Sequence, residues 1–254
     1  MIGETAPDRT VWRLTGKDAI SFLQGLVSND MRPLEAGPGI VWAALLSPQG
    51  KYLADFFVVR QQSGDLLIDI ASRLAEDTLR RLTMYKLRAD VQISPTALHV
   101  LRGLGEPPEG ALPDPRHPAL GWRAWSDRPG ADPVIDWDRI RVDNLIPESG
   151  VELVPEESYI LELGFERLHG VDFRKGCYVG QEVTARMKHK TELRKGLVRV
   201  AVDGAAPVGA EITDSDGKPV GTLFTQSGGT GLAHLRYDRA TGILRAGQAR
   251  IQLA

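Results

Sequence analysis

The chain has 254 residues, 42% of them hydrophobic and 25% charged, the balance of a globular protein long enough to bury a sizeable core. Its 31 Lys and Arg against 33 Asp and Glu leave a net charge of -2, which argues against a general nucleic-acid coat protein. A single cysteine excludes an intrachain disulfide framework and any multi-thiolate zinc or iron–sulfur site built by this chain alone.

The opening MIGETAPDRT has no basic stretch followed by an apolar run, so no secretory signal is read there. No apolar stretch approaches the ~20 residues of a membrane span. The expectation is a cytoplasmic protein with no membrane partner. Val11 to Leu14 reads as a strand, and Ala19, Phe22, Leu23 and Leu26 then recur at helical spacing. Ile40 to Leu46, Tyr52 to Arg60 and Leu66 to Ala71 read as a meander of three strands, split by turns at Ser47-Pro48-Gln49-Gly50 and Ser63-Gly64-Asp65. Ser72 reads as the N-cap of a helix carrying Leu74, Leu79, Leu82 and Tyr85. Val91 to Ser94 and Leu98 to Leu101 are two more strands.

Between Gly103 and Pro133 lie seven prolines and five glycines, which predict a long connection with one short strand near Trp122 to Trp125 and no buried element. Trp137 to Leu145 reads as a helix stopped before Pro147. From Gly196 onward, short β-rich runs separated by Gly, Asp and Pro turns predict a small antiparallel barrel or sandwich. Strands and helices alternate without a strict βαβ rhythm, so the expected class is α+β. The expected boundary lies near Lys195, with residues 1–195 as a body and 196–254 as the barrel.

No GxxxxGK[ST], HExxH or GxSxG occurs, and the five histidines never pair at metal-ligand spacing. Chemistry concentrates instead between Arg174 and Lys195, where seven cationic side chains stand against Glu182 and Glu192. Cys177 sits inside this patch. With a helix over Gly180 to Met187, the thiol precedes a helix N-terminus, where free N–H groups and Lys175 favour a thiolate. A lone cysteine is more often a small buried hydrophobe, and that reading stands beside the reactive one. Glu182, Arg186 and Lys190 step by four, the spacing of a solvated salt-bridge ladder.

Lys175-Gly176-Cys177-Tyr178-Val179-Gly180-Gln181-Glu182 matches the KGCYxGQE signature in full, and in this the chain resembles the YgfZ-type folate-binding proteins, relatives of the glycine-cleavage T-protein (aminomethyltransferase). LQGLVSND at Leu23 to Asp30, SPQGK at Ser47 to Lys51 and RVDNLIPESGVEL at Arg141 to Leu153 are similar to further stretches of that family. The resemblance implies two interleaved α+β portions around a central channel, followed by a C-terminal β-barrel. It also implies a cofactor, tetrahydrofolate or a derivative. A pterin presents an amino group and a ring N–H on one edge, which a carboxylate accepts as a pair. The motif position for that carboxylate falls on Asp143, where the family more often has Glu. Glu162 falls where another family motif has its acid, although a partly buried acid paired with arginine is an equal reading of the same residue. By this resemblance Cys177 and Lys175 are the catalytic candidates. Tyr178, Gln181, Glu182 and Arg186 join Asp143 and Glu162 as candidate folate contacts, and no metal site is implied.

The function implied is a folate-binding helper of iron–sulfur cluster assembly or repair, partnered by iron–sulfur client proteins, with tRNA-modifying thiotransferases among them. One thiol can shuttle a group, or bridge a cluster together with a partner's ligands, but cannot hold a cluster alone. An alternative is a tetrahydrofolate-dependent aminomethyltransferase moving a one-carbon unit. A second is an RNA-binding module, with segment 174–195 as the surface that meets tRNA.

Overall fold

The computed structural model, which describes residues 3–190 and 192–253 with the Lys190 side chain outside that set, folds the first half of the chain into two antiparallel sheets. Strand β1 (Glu4–Thr5) is followed by β2 (Arg9–Thr15), the short helices α1 (Ala19–Gln24) and α2 (Pro33–Ala36), and the meander β3 (Gly39–Leu46), β4 (Tyr52–Arg60) and β5 (Leu66–Ala71). Helix α3 (Ser72–Lys86) leads to β6 (Gln92–Pro95), β7 (His99–Gly103), β8 (Leu112–Pro113) and β9 (Trp122–Ser126). Helices α4 (Trp137–Asn144) and α5 (Gln181–Lys190), separated by a long loop, precede six further strands. These are β10 (Lys195–Asp203), β11 (Ala210–Thr213), β12 (Pro219–Ser227), β13 (Thr230–Arg236), β14 (Leu244–Ala246) and β15 (Ala249–Leu253).

The five-stranded sheet runs β3-β4-β5-β2-β6. Strand β4 buries Tyr52 to Val59 without a break, so the sheet is covered on both faces at its centre. Asp55 is the one charge in that run. Its carboxylate accepts the Trp42 indole N–H at 2.7 Å and the Tyr52 hydroxyl at 2.6 Å. Ser72 is the first residue of α3 and not its N-cap. Ala71 holds the cap position, and the Ser72 hydroxyl meets that of Thr10 at 2.9 Å.

The second sheet, β1-β7-β9-β8, takes in the strands expected at Leu98 to Leu101 and near Trp122 to Trp125, but it buries part of the connection where no buried element was expected. Leu120, Trp122 and Trp125 are buried there, together with Asp114, Arg116 and Arg123. The prolines lie at strand ends and turns, where a missing N–H costs nothing: Pro113 closes β8, and Pro118 opens a single 3-10 turn. The charges are buried as a network. Asp114 accepts from Arg116 at 2.8 Å and Arg123 at 3.1 Å, Arg123 reaches Asp69 at 3.1 Å, and Asp69 accepts from Arg9 at 2.6 Å. Asp69 and Arg9 belong to the first sheet, so the network ties the two sheets together.

Burial opposes the Asp114 charge, but Arg116 and Arg123 outweigh it and hold the carboxyl at about 2. A native pKa below the unfolded one adds stability that is fully present above pH ~4 and is lost as the pH falls through the native value. Urea unfolding measured from pH 6 down to pH 2 is therefore expected to show a loss of stability in the acid range. Asp114→Asn should be less stable at neutral pH and show a shallower acid slope; an unchanged slope would show that this carboxyl carries no part of it.

The last six strands close into a barrel in the order β10-β13-β12-β11-β14-β15, which leaves no free edge. Val200, Ile212, Leu223, Ala233, Leu244 and Ile251 fill it with a core of its own. The α+β class and the antiparallel C-terminal barrel are those expected from the sequence. Among the described residues no helix is long and apolar enough to cross a membrane.

Candidate functional site

The two sheets and the barrel meet around a cavity of about 470 Å³, a size that suits a small-molecule ligand. Ala6 to Arg9 line it where the chain enters β2, Ala71 and Arg73 at the β5–α3 junction, and Arg102 from β7. Trp137, Asp138 and Arg141 face it from α4, Glu148 from the loop beyond, and Val208, Thr225 and Gln226 from the barrel.

Helix α4 sets the geometry of this wall. Asp136 caps it, accepting the Arg139 backbone N–H at 2.8 Å, and Leu145 in the left-handed region at φ 54 ends it. Trp137 and Arg141, four residues apart, turn inward together. Arg141 donates to Asp138 at 2.9 Å, to the Ile146 carbonyl at 3.2 Å, to Glu152 at 3.1 Å and to the Thr225 hydroxyl oxygen at 2.9 Å. Glu152 is 1% exposed and also accepts the Thr225 backbone N–H at 3.2 Å and its hydroxyl at 2.6 Å. Burial opposes the Arg141 charge, but Glu152, Glu148 and Asp138 outweigh it and raise its pKa.

Glu148 lies 3.6 Å from Arg141, and its side chain keeps 31% exposure because it faces the cavity. Burial pushes its carboxyl up, yet Arg141, Arg116, Arg9 and Arg123 together hold it below the usual carboxylate range. An ionised carboxylate on a cavity wall can accept two N–H donors side by side.

The KGCYVGQE segment forms a second site. The Lys175 ammonium donates to the Gln24 carbonyl and, at 2.8 Å, to that of Val27, while the Gln24 amide donates back to the Lys175 carbonyl at 3.0 Å. Burial pulls its pKa down to about 8, against the attraction of Asp30 and Asp172. Gly180, at φ +83, sits so close to the SPQG turn that a Cβ would come within 2.5 Å of the Ser47 carbonyl oxygen. The stretches Leu23 to Asp30, Ser47 to Lys51 and Lys175 to Glu182 thus pack against one another. Cys177 is exposed on this knot. Tyr178 is buried beneath it, with the Lys175 ammonium 4.8 Å from its ring and a phenol pKa raised by burial. The Tyr178 backbone N–H donates to the Gln181 side chain at 3.0 Å, and Glu182 pairs with Arg186 at 2.9 Å on the exposed face of α5. The side chain of Lys190, the third step of that ladder, lies outside the described residues.

Lys175, Cys177, Tyr178, Gln181, Glu182 and Arg186 are therefore brought together, whereas Asp143 and Glu162 lie elsewhere. Asp143 is exposed, paired with Arg139 at 2.7 Å and Arg199 at 3.6 Å. Glu162 meets His234 of the barrel at 3.0 Å. None of these eight residues lines the central cavity. Asp8, Asp138 and Glu148 do face it, and Glu148, the one held ionised by several arginines, was missed by spacing alone. A signal was present: on α4, Asp143 is turned about 200° from Arg141, so an inward Arg141 sends Asp143 outward. Among the described residues no group of three or more His, Cys, Asp or Glu side chains could hold a metal ion.

Comparison with known proteins places these features in a family. Residues 194–254 match the family described as CAF17, C-terminal beta-barrel domain. The chain is 35% identical over 240 residues to the mitochondrial iron-sulfur cluster assembly factor IBA57 homolog of Mycosarcoma maydis, covering 83% of this chain and 60% of that protein. It is 31% identical over 288 residues to mitochondrial IBA57 of Mus musculus, covering 96% of this chain and 80% of that one. Identity to mitochondrial IBA57 of Homo sapiens is 30% over 277 residues, covering 93% and 78%. Among solved structures, glycine cleavage system aminomethyltransferase T from Bartonella henselae is similar with a TM-score of 0.72 over 97% of this chain and 82% of that one. At 13% identity, that likeness shows the fold alone. The expected cytoplasmic location is corrected by these relatives, each of which is named as a mitochondrial protein. With two relatives at 30% identity or above, matched over 78% or more of their own length, the chain belongs to the IBA57 family of iron–sulfur cluster assembly factors.

Proposed function

We propose that this protein assists iron–sulfur cluster assembly, holding a reduced folate in its central cavity and meeting iron–sulfur client proteins through Cys177. Family membership supports the assembly role. The folate reading rests on the cavity of a T-protein-like fold with an ionised Glu148 on its wall, able to accept the amino and ring N–H donors of a pterin edge. Bound there, a reduced folate would supply one-carbon or redox chemistry. The chain's own residues bind and orient it: Glu148 accepts the donor edge, and Arg141, locked by four partners, keeps α4 and Glu148 in register.

Cys177 is exposed, and beside it Gly176 has open space where a Cβ would stand, so a partner can approach the thiol closely. A single thiol completes a cluster only with ligands from elsewhere, which makes the partner a protein that carries or receives the cluster. The YgfZ-like KGCYVGQE segment and the basic residues of 174–195 extend the client set to tRNA-modifying thiotransferases and their tRNA. The division into a body of residues 1–195 and a barrel of 196–254 belongs to the same reading, supported by the separate cores of the two parts. Calorimetry with tetrahydrofolate is expected to show one-to-one binding. No binding at millimolar ligand removes the folate part.

A further inference from the structure

Among the described residues, one arginine of the cavity wall makes no hydrogen bond or ion pair. Arg102 lines both the main cavity and a narrow pocket of about 30 Å³ beside it. Its Nε is buried without an acceptor, and its guanidinium makes no hydrogen bond or ion pair among the described residues. The neighbouring arginines are all satisfied: Arg9 by Asp69, Arg116 by Asp114, Arg123 by both, and Arg141 by Glu152 and Asp138. The carboxylates that attract Arg102 are engaged elsewhere. Glu4 accepts the backbone N–H groups of Val134 at 2.7 Å and Ile135 at 2.8 Å, and the Trp137 indole N–H at 2.9 Å. Glu148 leans toward Arg141. The Trp137 ring lies 4.4 Å from the Arg102 guanidinium and holds its plane. Burial first, then repulsion from Arg123, pulls its pKa down to about 10, which leaves it charged at neutral pH.

A half-buried cation whose nearest carboxylates are engaged elsewhere is left under-satisfied, and a guanidinium fork held flat is the complement of a planar or tetrahedral oxyanion. We infer that Arg102 receives an oxyanion group, a carboxylate or a phosphate, of the small molecule that enters the central cavity. Arg73, exposed on the same cavity wall, donates only a 3.4 Å contact to the Gly150 carbonyl and adds a second positive charge there. The inference stands independently of the pterin assignment. A folate would bring a carboxylate on its glutamate tail, but any carboxylate or phosphate ligand of the right size satisfies the same fork.

The test titrates the full chain at pH 7 in low salt, by calorimetry and thermal unfolding, with p-aminobenzoyl-glutamate in one arm and inorganic phosphate in the other. At least one probe is expected to bind one-to-one and raise the unfolding midpoint. Binding by the first alone assigns a carboxylate and by the second alone a phosphate. Arg102→Met should weaken binding at least tenfold, and Arg102→Lys, which keeps the charge but loses the fork, by less. Without ligand, Arg102→Met should be about as stable as the wild type, because it breaks no hydrogen bond or ion pair and gives up only the charge of the contact with the Trp137 ring. The inference is overturned if neither probe binds, if Arg102→Met binds as tightly as the wild type, or if that variant loses much of its stability and so marks a structural cation. Should Arg102→Met fail to fold, Arg102→Lys binding as tightly as the wild type overturns it as well. Because neither probe contains a pterin, failure here and failure of the folate reading give different results.

Discussion

Arg141→Met is expected to cost about 3–5 kcal/mol of folding stability, read as a lower urea midpoint with little change in slope. The loss comes less from the missing cation than from what it strands. Glu152 is 1% exposed, and without Arg141 its charge would rest on neutral donors alone, the backbone N–H groups of Glu148 and Thr225 and the Thr225 hydroxyl. The same guanidinium holds Asp138 of α4, the Ile146 carbonyl and Thr225 of β12, so the helix, the loop and the barrel are coupled through one side chain. Arg141→Lys should lose less, keeping the charge while giving up the fork. The double substitution Arg141→Met with Glu152→Gln should recover part of the loss by removing the stranded carboxylate. A single-variant loss below about 1 kcal/mol would show that water reaches Glu152 and that the hub is not buried in solution.

Glu148→Gln is expected to weaken tetrahydrofolate about 10- to 100-fold, since a hydrogen-bonded charge is worth roughly 1.5–3 kcal/mol. The amide has the shape of the acid but keeps one acceptor and turns a donor toward the pterin donors, so the paired acceptance is lost. Stability should change little, because Arg141 keeps Glu152 and Asp138 as partners. Asp143→Ala serves as the comparison: Asp143 is exposed, paired with Arg139 and Arg199, and does not line the cavity, so the affinity should stay within twofold. The reverse ranking, with Asp143→Ala weakening the ligand and Glu148→Gln not, would return the pterin contact to the motif position.

The elements read from hydrophobic pattern formed much as expected. The β3–β4–β5 meander, the α4 helix and the barrel strands are each driven by local signals: apolar runs, a capping Asp136, and turns at regular spacing. Strands β7 and β9 of the second sheet were legible, but the burial of the connection was not, because Asp114, Arg116 and Arg123 look solvated in sequence and are buried only because Asp69, forty-five or more residues away, completes their network. The KGCYVGQE knot was legible as a motif, but its packing on Gln24, Val27 and the SPQG turn is a long-range result. The cavity wall was hidden for the same reason: Arg102, Glu148 and Thr225 share no spacing and meet only in the fold.

Iron–sulfur enzyme activity in cells that lack the native protein bears most directly on the assembly role. The wild-type chain is expected to restore it. Cys177→Ser alters one atom at an exposed position, so its stability should stay within about 0.5 kcal/mol of the wild type. That variant is nevertheless expected to leave the activity unrestored, because the hydroxyl cannot stand in for a thiolate toward iron or sulfur. A wild-type chain that restores nothing would contradict the assembly role, and full restoration by Cys177→Ser would contradict the part assigned to its only thiol.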